Sequence, residues 1–197
     1  MSSITILKLA VKIVLILVSI YIAKSGNQKR KRELRNYREA LYNLDYAAAL
    51  EHINVFITAH PKDHHAYNYK AEILLKLENN SESIMALQNS IRYKKRQYDA
   101  YKLLADVYYN DKQYDLSISM FDKALKVKKD PLAYYNRGIA YTAIDEIGRG
   151  ISDVKTALKK YKGDKEFIYK ELGYLYQLKG DHIKSEQYYD KILKTPA

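Results

Sequence analysis

The sequence predicts an all-α protein in which about five helix-turn-helix units stack into a superhelix behind one N-terminal transmembrane helix. Two observations predict this. From residue 30 onward a pattern of small and large side chains recurs about every 34 residues, the signature of a stacked-repeat array. Ahead of it, residues 4–23 read ITILKLAVKIVLILVSIYIA, a run long enough to cross a bilayer as a helix.

The anchor is expected over residues 1–23. Its thirteen Leu, Ile and Val residues favour insertion by roughly 4–8 kcal/mol, against up to about 3 kcal/mol for each of Lys8 and Lys12 at the bilayer centre. Both lysines lie in the N-terminal half, so their stems let the ammonium groups reach the near interface. Two alternatives stay open. A cleaved secretory signal would use Lys8 and Lys12 as its charged region, although Tyr21 stands where a small residue is wanted before a cut after Ala23. A helix lying on the membrane surface needs a polar face, which residues 13–23 do not offer. Downstream, Lys24, Lys29, Arg30, Lys31, Arg32, Arg35 and Arg38 outnumber Lys8 and Lys12, so the positive-inside bias favours repeats in the cytoplasm; if Lys8 and Lys12 hold the N-terminal end inside instead, the repeats lie in a periplasm or other outer compartment.

Residues 24–29 follow as a basic linker in which Gly26-Asn27 is expected to break the helix. Lys29, Arg30, Lys31 and Arg32 would either rest on anionic headgroups, at about 1 kcal/mol per charge, or serve only to set topology.

The repeats are placed at 30–63, 64–97, 98–130, 131–165 and 166–197. Counting from the first residue of each, position 4 is Glu33, Tyr67, Tyr101, Tyr134 and Tyr169. Position 8 is Tyr37, Ala71, Ala105, Gly138 and Gly173, and position 11 is Ala40, Leu74, Tyr108, Tyr141 and Tyr176. Position 20 is Ala49, Ser83, Ser117, Gly150 and Ser185; position 24 is Ile53, Leu87, Phe121, Val154 and Tyr189; position 28 is Ile57, Ile91, Leu125, Leu158 and Leu193. Spacings of three and four put each set on one helical face. Small residues at 8 and 20 let paired helices approach, and large ones at 4, 11 and 24 fill the space beside them. No pair buries its apolar face alone, so neighbours must stack. Asn79-Asn80, Asp130-Pro131, Lys162-Gly163-Asp164 and Gly180-Asp181 punctuate the helices, and the extra residue of the fourth unit falls in YKGDK.

This pattern, clearest in AYYNRGIAYTAIDEIGRGISDVKTAL and EFIYKELGYLYQLKGDHIKSEQYYDKIL, resembles the tetratricopeptide repeat family from Arg30 to Ala197. The first unit departs from it at Glu33, Asn36 and Tyr37, but LDYAAALEHINVFITAHP matches in its second helix and closing Pro61. The resemblance implies a right-handed superhelix whose concave groove, lined by positions 2, 5, 6, 9, 12 and 13, holds a segment of a partner protein. Here those positions include His65, Asn68, Tyr69, Lys102, Asp106, Tyr109, Asn110, Tyr135, Asn136, Lys170, Tyr174 and Gln177. Tyr gives large contact area with few rotatable bonds and Asn gives donor and acceptor together, a chemistry suited to gripping a polypeptide. Some family members clamp an acidic chaperone tail. Lys102 and Asn136 meet that pattern, whereas Asp106, Phe167 and Glu171 do not, so chaperone docking is not expected.

Charge adds a second surface. The chain has 34 Lys and Arg against 23 Asp and Glu, a net +11, which favours acidic partners or membranes. Second helices end in Arg92, Lys94, Lys95 and Arg96, then Lys126, Lys128 and Lys129, then Lys159, Lys160 and Lys162, then Lys194. Cations there are favoured by the helix dipole, by about 0.3–1 kcal/mol each. Stacked, Lys94, Lys95, Lys128, Lys129, Lys159 and Lys160 would also form a ridge for anionic lipid; nucleic acid is the weaker partner because an anchor restricts access to it. Tyr188, Tyr189 and Ile192 are expected to be partly uncovered on the last helix, which points to self-association.

Catalytic motifs are missing, and the chain has no cysteine for a disulfide or thiol nucleophile. HPKDHH gathers His60, Asp63, His64 and His65, but Pro61 interrupts the helix that a shared zinc would need, so this segment is expected to be a turn with solvent-exposed imidazoles and no metal. The expected function is a non-catalytic, cofactor-free membrane-anchored adaptor that recruits other proteins; the alternative is a structural protein that self-assembles into a coat or filament.

Overall fold

The computed structural model describes residues 24–193, all helix and connecting turn, and divides into two compact units, Met1–Lys62 and Asp63–Ala197. The expected anchor at residues 4–23 lies outside the described residues, as do residues 194–197 with Lys194. Among the described residues no helix is long and apolar enough to cross a membrane.

In the first unit residues 24–33 are helical, followed by α1 (Arg35–Tyr42) and α2 (Tyr46–Ala59). The helix therefore runs through Gly26-Asn27, where a break was expected. A helical Gly costs only about 1 kcal/mol, and the Lys, Gln and Arg residues around it are good helix formers. This helix turns at Leu34, although Leu34 N–H donates to Arg30 O and Arg38 N–H to Leu34 O across the turn. Leu34, Tyr37 and Ala40 are buried on this side, and Ala49, Ile53 and Phe56 on α2. Asp45 caps α2, accepting from Ala48 N–H at 2.9 Å.

The second unit comprises α3 (His64–Lys76), α4 (Asn80–Tyr93), α5 (Tyr98–Asn110), α6 (Tyr114–Val127), α7 (Pro131–Ala143), α8 (Ile147–Lys160), α9 (Glu166–Leu178) and α10 (His182–Leu193), each packed on its chain neighbours within the unit. α3, α5, α7 and α9 start at His64, Tyr98, Pro131 and Glu166. Predicted punctuation supplies caps at Asn79, which accepts from Glu82 N–H, at Asp130, which accepts from Leu132 N–H ahead of Pro131, and at Asp181, which accepts from Lys184 N–H; Asp164, one residue before the N-cap Lys165, accepts from Glu166 N–H. The extra residue of the fourth unit lies between α8 and α9, in 161–165.

Each repeat turns at position 15 through a left-handed residue: Leu44, Glu78, Lys112, Asp145 and Gly180, with φ of 58°, 57°, 60°, 64° and 80°. The following N–H reaches back to the position-11 carbonyl, as in Gln113 to Tyr108 O at 2.8 Å and Asp181 to Tyr176 O at 2.9 Å. This is the Schellman closure that satisfies the carbonyls of the helix end.

Positions 8 and 20 meet in the expected close crossing. Ser83 Oγ donates to Ala71 O at 3.0 Å and Ser185 Oγ to Gly173 O at 2.8 Å. Gly138 and Gly150 are packed so tightly that a Cβ on either would lie within 3.0 Å of the other's carbonyl oxygen. The core follows the repeats as separate clusters, one of them Ala105, Phe121, Leu125 and Ala133, another Ile151, Val154, Ala157, Ile168, Leu172, Leu175 and Tyr176. Each cluster joins the second helix of one unit to the first helix of the next, which is why no unit can stand alone. Between them Arg137 donates to Asp153 through Nε at 2.6 Å and Nη2 at 2.8 Å, and to Asp122 through Nη1, with its guanidinium 5.6 and 5.7 Å from the Tyr134 and Tyr141 rings.

Candidate protein-binding groove

First helices of the last three repeats supply a continuous concave surface. α5 contributes Asp106, Tyr109 and Asn110, α7 contributes Asn136, Ile139, Thr142 and Ala143, and α9 contributes Glu171, Tyr174 and Leu178. They line two clefts, of about 240 and 530 Å³, that share Tyr109 and Ile139. The smaller reaches Phe121, and the larger is closed by Asp145 and Ile147.

The polar groups are ordered before any partner arrives. Lys102 Nζ lies 2.6 Å from Asp106 Oδ2, and Asn136 Nδ2 donates to Asp106 Oδ1 at 3.4 Å. Tyr135 packs edge-on against Phe167, with ring centroids 5.0 Å apart, and Tyr109 lies 5.3 Å from Tyr114. Burial, and then the neighbouring Glu171 carboxylate, push the Tyr135 hydroxyl up to about 12. Burial alone holds the Glu171 carboxyl above its ordinary value, because no cation among the described residues compensates it. Neither cleft is lined by a Lys or Arg.

Of the groove residues expected from sequence, Asp106, Tyr109, Asn110, Asn136 and Tyr174 line these clefts. Lys102 joins through Asp106 and Tyr135 through Glu171, while Lys170 and Gln177 are exposed on α9 away from the lining. On α3, Tyr69 is half-buried, and Asn68 is buried with its Oδ1 accepting no hydrogen bond. The sequence missed Ile139, Thr142, Ala143, Glu171 and Leu178 as lining residues. Their positions, 6, 9, 12 and 13, were the right ones; a preference for Tyr, Asn and Lys passed them over.

The basic residues are mostly as exposed as their charge requires: Lys94, Lys95, Lys129, Lys159 and Lys160 in the second unit, and Lys29, Lys31 and Arg32 in the first. Lys94 and Lys128 sit at helix C-caps and Lys159 and Lys160 in a last turn, where the dipole favours them. Lys128 is further engaged, 3.0 Å from Asp130 and 4.9 Å from the Tyr98 ring. Lys29 lies 3.9 Å from Glu33, and Arg30 lies 5.9 Å from the Phe56 ring.

The histidine expectation needs correction. The imidazoles of HPKDHH are not uniformly solvent-exposed. His60 Nε2 is 2.6 Å from Glu33 Oε2, and in the second unit the rings of His64 and His65 lie 4.0 Å apart; His64 is half-buried, and burial lowers its pKa. Asp63 caps α3 through His65 and Ala66 N–H. On the last helix, Tyr188 stacks on Tyr176 at 5.6 Å and Tyr189 packs over Gly173, and both rings, like Ile192, are half-buried and so partly uncovered. The exposed apolar groups of α10 are Ile183 (73 %) and Leu193 (85 %).

Residues 168–195 match the profile of the tetratricopeptide repeat, and residues 65–142 match a domain of unknown function (DUF7017). No curated protein sequence matches the chain. Among solved structures the fold is similar to that of MamA from Desulfovibrio magneticus RS-1, at 19 % identity and a TM-score of 0.77 over 84 % of this chain and 94 % of that one. It is also similar to PilW, a widely conserved type IV pilus biogenesis factor, at 20 % identity and a TM-score of 0.72 over 86 % and 80 % of the two chains. Pseudomonas aeruginosa pilF is similar at 12 % identity and a TM-score of 0.74 over 87 % and 78 %. At such identities the likeness concerns the fold.

Proposed function

We propose that this protein, which matches the tetratricopeptide repeat profile over residues 168–195 and has a fold similar to that of MamA, is a non-catalytic adaptor that holds a segment of a partner protein in the groove of its last three repeats and gathers that partner at a membrane. The groove lined by Tyr109, Ile139 and Tyr174 is the observation that supports partner binding: it is wide, half apolar and bordered by polar groups already fixed in place. The membrane part rests on the apolar run at residues 4–23 and on Lys29, Arg30, Lys31 and Arg32 behind it, which favour a single-pass anchor with the repeats on the cytoplasmic side.

Co-isolation from solubilised membranes tests the first half. The tagged full-length chain is expected to retain a partner that is lost from the Tyr109→Ala, Tyr174→Ala double variant and kept by Lys126→Ala on α6. Equal retention by all three would remove the groove from the proposal. Protease treatment of sealed membranes tests the second half: a C-terminal tag digested from the cytoplasmic side at full mass is the expected result, and a protected or shortened tag would reverse it.

A second role, self-assembly, is favoured by Ile183 and Leu193 on α10. Sedimentation of the full chain in detergent is expected to show a mass that rises with concentration and falls to one copy per micelle on Ile183→Ser. A single copy at every concentration would exclude it.

A further inference from the structure

The chain is strongly basic, yet its groove is not. Of the ionisable groups lining the two clefts, Asp106, Asp145 and Glu171 are acidic, and no Lys or Arg is among them. Asp106 is satisfied by Lys102 and Asn136. Asp145 sits in the exposed turn between α7 and α8. Glu171 is different: it lines the larger cleft from α9, half-buried, with the Tyr109 and Tyr135 hydroxyls nearby and no compensating cation among the described residues. A half-buried carboxylate left in this state is an unmet demand for positive charge.

The walls fit that demand. Tyr109 and Tyr174 offer aromatic faces, and Ile139 and Leu178 offer aliphatic ones, in a cleft of about 530 Å³, more than one long side chain occupies. Resting on the groove reading above, we propose that this cleft takes a partner segment in which a Lys or Arg, flanked by apolar residues, places its charged group on Glu171 and its stem between Tyr109 and Tyr174. The net charge of +11 opposes a basic partner only at long range. At physiological salt the screening length is about 8 Å, so the nearby carboxylate outweighs the distant lysines once the segment has docked.

The test uses the full-length chain in nonionic detergent and three labelled, end-blocked peptides, Ala-Leu-Lys-Leu-Ala and its Gln and Glu counterparts, followed by fluorescence anisotropy. The Lys peptide is expected to bind at least about tenfold more tightly than the Glu peptide. Glu171→Gln, which keeps the shape and removes the charge, should weaken the Lys peptide about tenfold and leave the Gln peptide unchanged. Glu186→Gln, on the exposed side of α10 and outside both clefts, should change the Lys peptide by less than about twofold. Binding of the Gln or Glu peptide as tight as that of the Lys peptide, or a Lys preference that survives Glu171→Gln, would overturn the proposal. If such charge-indifferent binding is abolished by Tyr174→Ala, the groove reading stands while the basic anchor falls. If none of the peptides binds in a Tyr174-dependent way, the basic anchor is again overturned, and the co-isolation experiment decides the groove separately.

Discussion

Replacing Lys112 with Gly should stabilise the protein. Lys112 occupies the left-handed position between α5 and α6, at φ 60°, where an L-residue with a Cβ is strained by roughly 1–2 kcal/mol. Its side chain is exposed and its turn is held by backbone bonds, Lys112 N–H to Tyr109 O at 2.9 Å and Gln113 N–H to Tyr108 O at 2.8 Å, which glycine keeps. Against the relief stands the extra freedom of an unfolded glycine, about 0.5–1 kcal/mol. The net gain is about 0.5–1 kcal/mol. Glu78 is equivalent at φ 57°, and Gly180 shows what the position accepts most readily, at φ 80°. The two sites lie in different repeats, so Glu78→Gly and Lys112→Gly should add, for about 1–2 kcal/mol together. For a chain of this size that is a rise in melting temperature of roughly 2–8 °C, read by circular dichroism at 222 nm. A lower melting temperature for Lys112→Gly, with Gly180→Ala having no effect, would refute the left-handed closure and with it the strain assigned to these turns.

Three further outcomes follow from the same geometry. Arg137→Met leaves Asp153 buried and Asp122 without their shared cation and is expected to cost about 3 kcal/mol, measured by urea denaturation; an unchanged midpoint would mean the ion cluster is dispensable. Gly138→Ala would press a Cβ to 3.0 Å from the Gly150 carbonyl and 2.8 Å from Val154, so a loss of about 1–3 kcal/mol is expected, where an ordinary helical Gly→Ala change would stabilise. The raised folded-state pKa of Glu171 means that the fold holds its proton more tightly than the unfolded chain does. That contribution to stability is fully present below the ordinary value of 4.5 and is lost as pH rises through the raised value. Glu171→Gln should therefore melt higher than wild type at pH 7 and close to it at pH 4; a lower melting temperature at pH 7 would show that the carboxylate stabilises the fold instead.

How much of this was legible in the sequence depended on the range of the interaction. Boundaries at His64, Tyr98, Pro131 and Glu166, the caps at Asn79 and Asp130 and the close passage of Gly138 over Gly150 were all readable, because each is set by residues within one repeat and is reinforced by its equivalents. The wider buried face was harder. Ala66, Ala100 and Ala133 at position 3 and Ile73, Val107 and Leu175 at position 10 are buried as deeply as the positions that defined the register. They flank the same stripe, and only packing between neighbouring units brings them inside. The left-handed turns were hidden because Leu44, Glu78, Lys112 and Asp145 are not turn-forming glycines; the backbone closure imposes the conformation on them. Arg137 gave no signal, since its partners Asp122 and Asp153 come from two different repeats. In the groove, Glu171 looked like a defect when measured against an acidic-tail clamp, and that no cation among the described residues compensates it emerged only from the packing of α9.

The most direct test of the groove is photo-crosslinking in intact membranes, with benzoylphenylalanine placed at Tyr109, Ile139 or Tyr174 on the concave face and at Lys126 on α6. Crosslinks from the three groove sites to one partner segment, and none from Lys126, are the predicted result. Crosslinks that arise from Lys126 while the groove sites stay silent would contradict the assignment of α5, α7 and α9 as the binding surface.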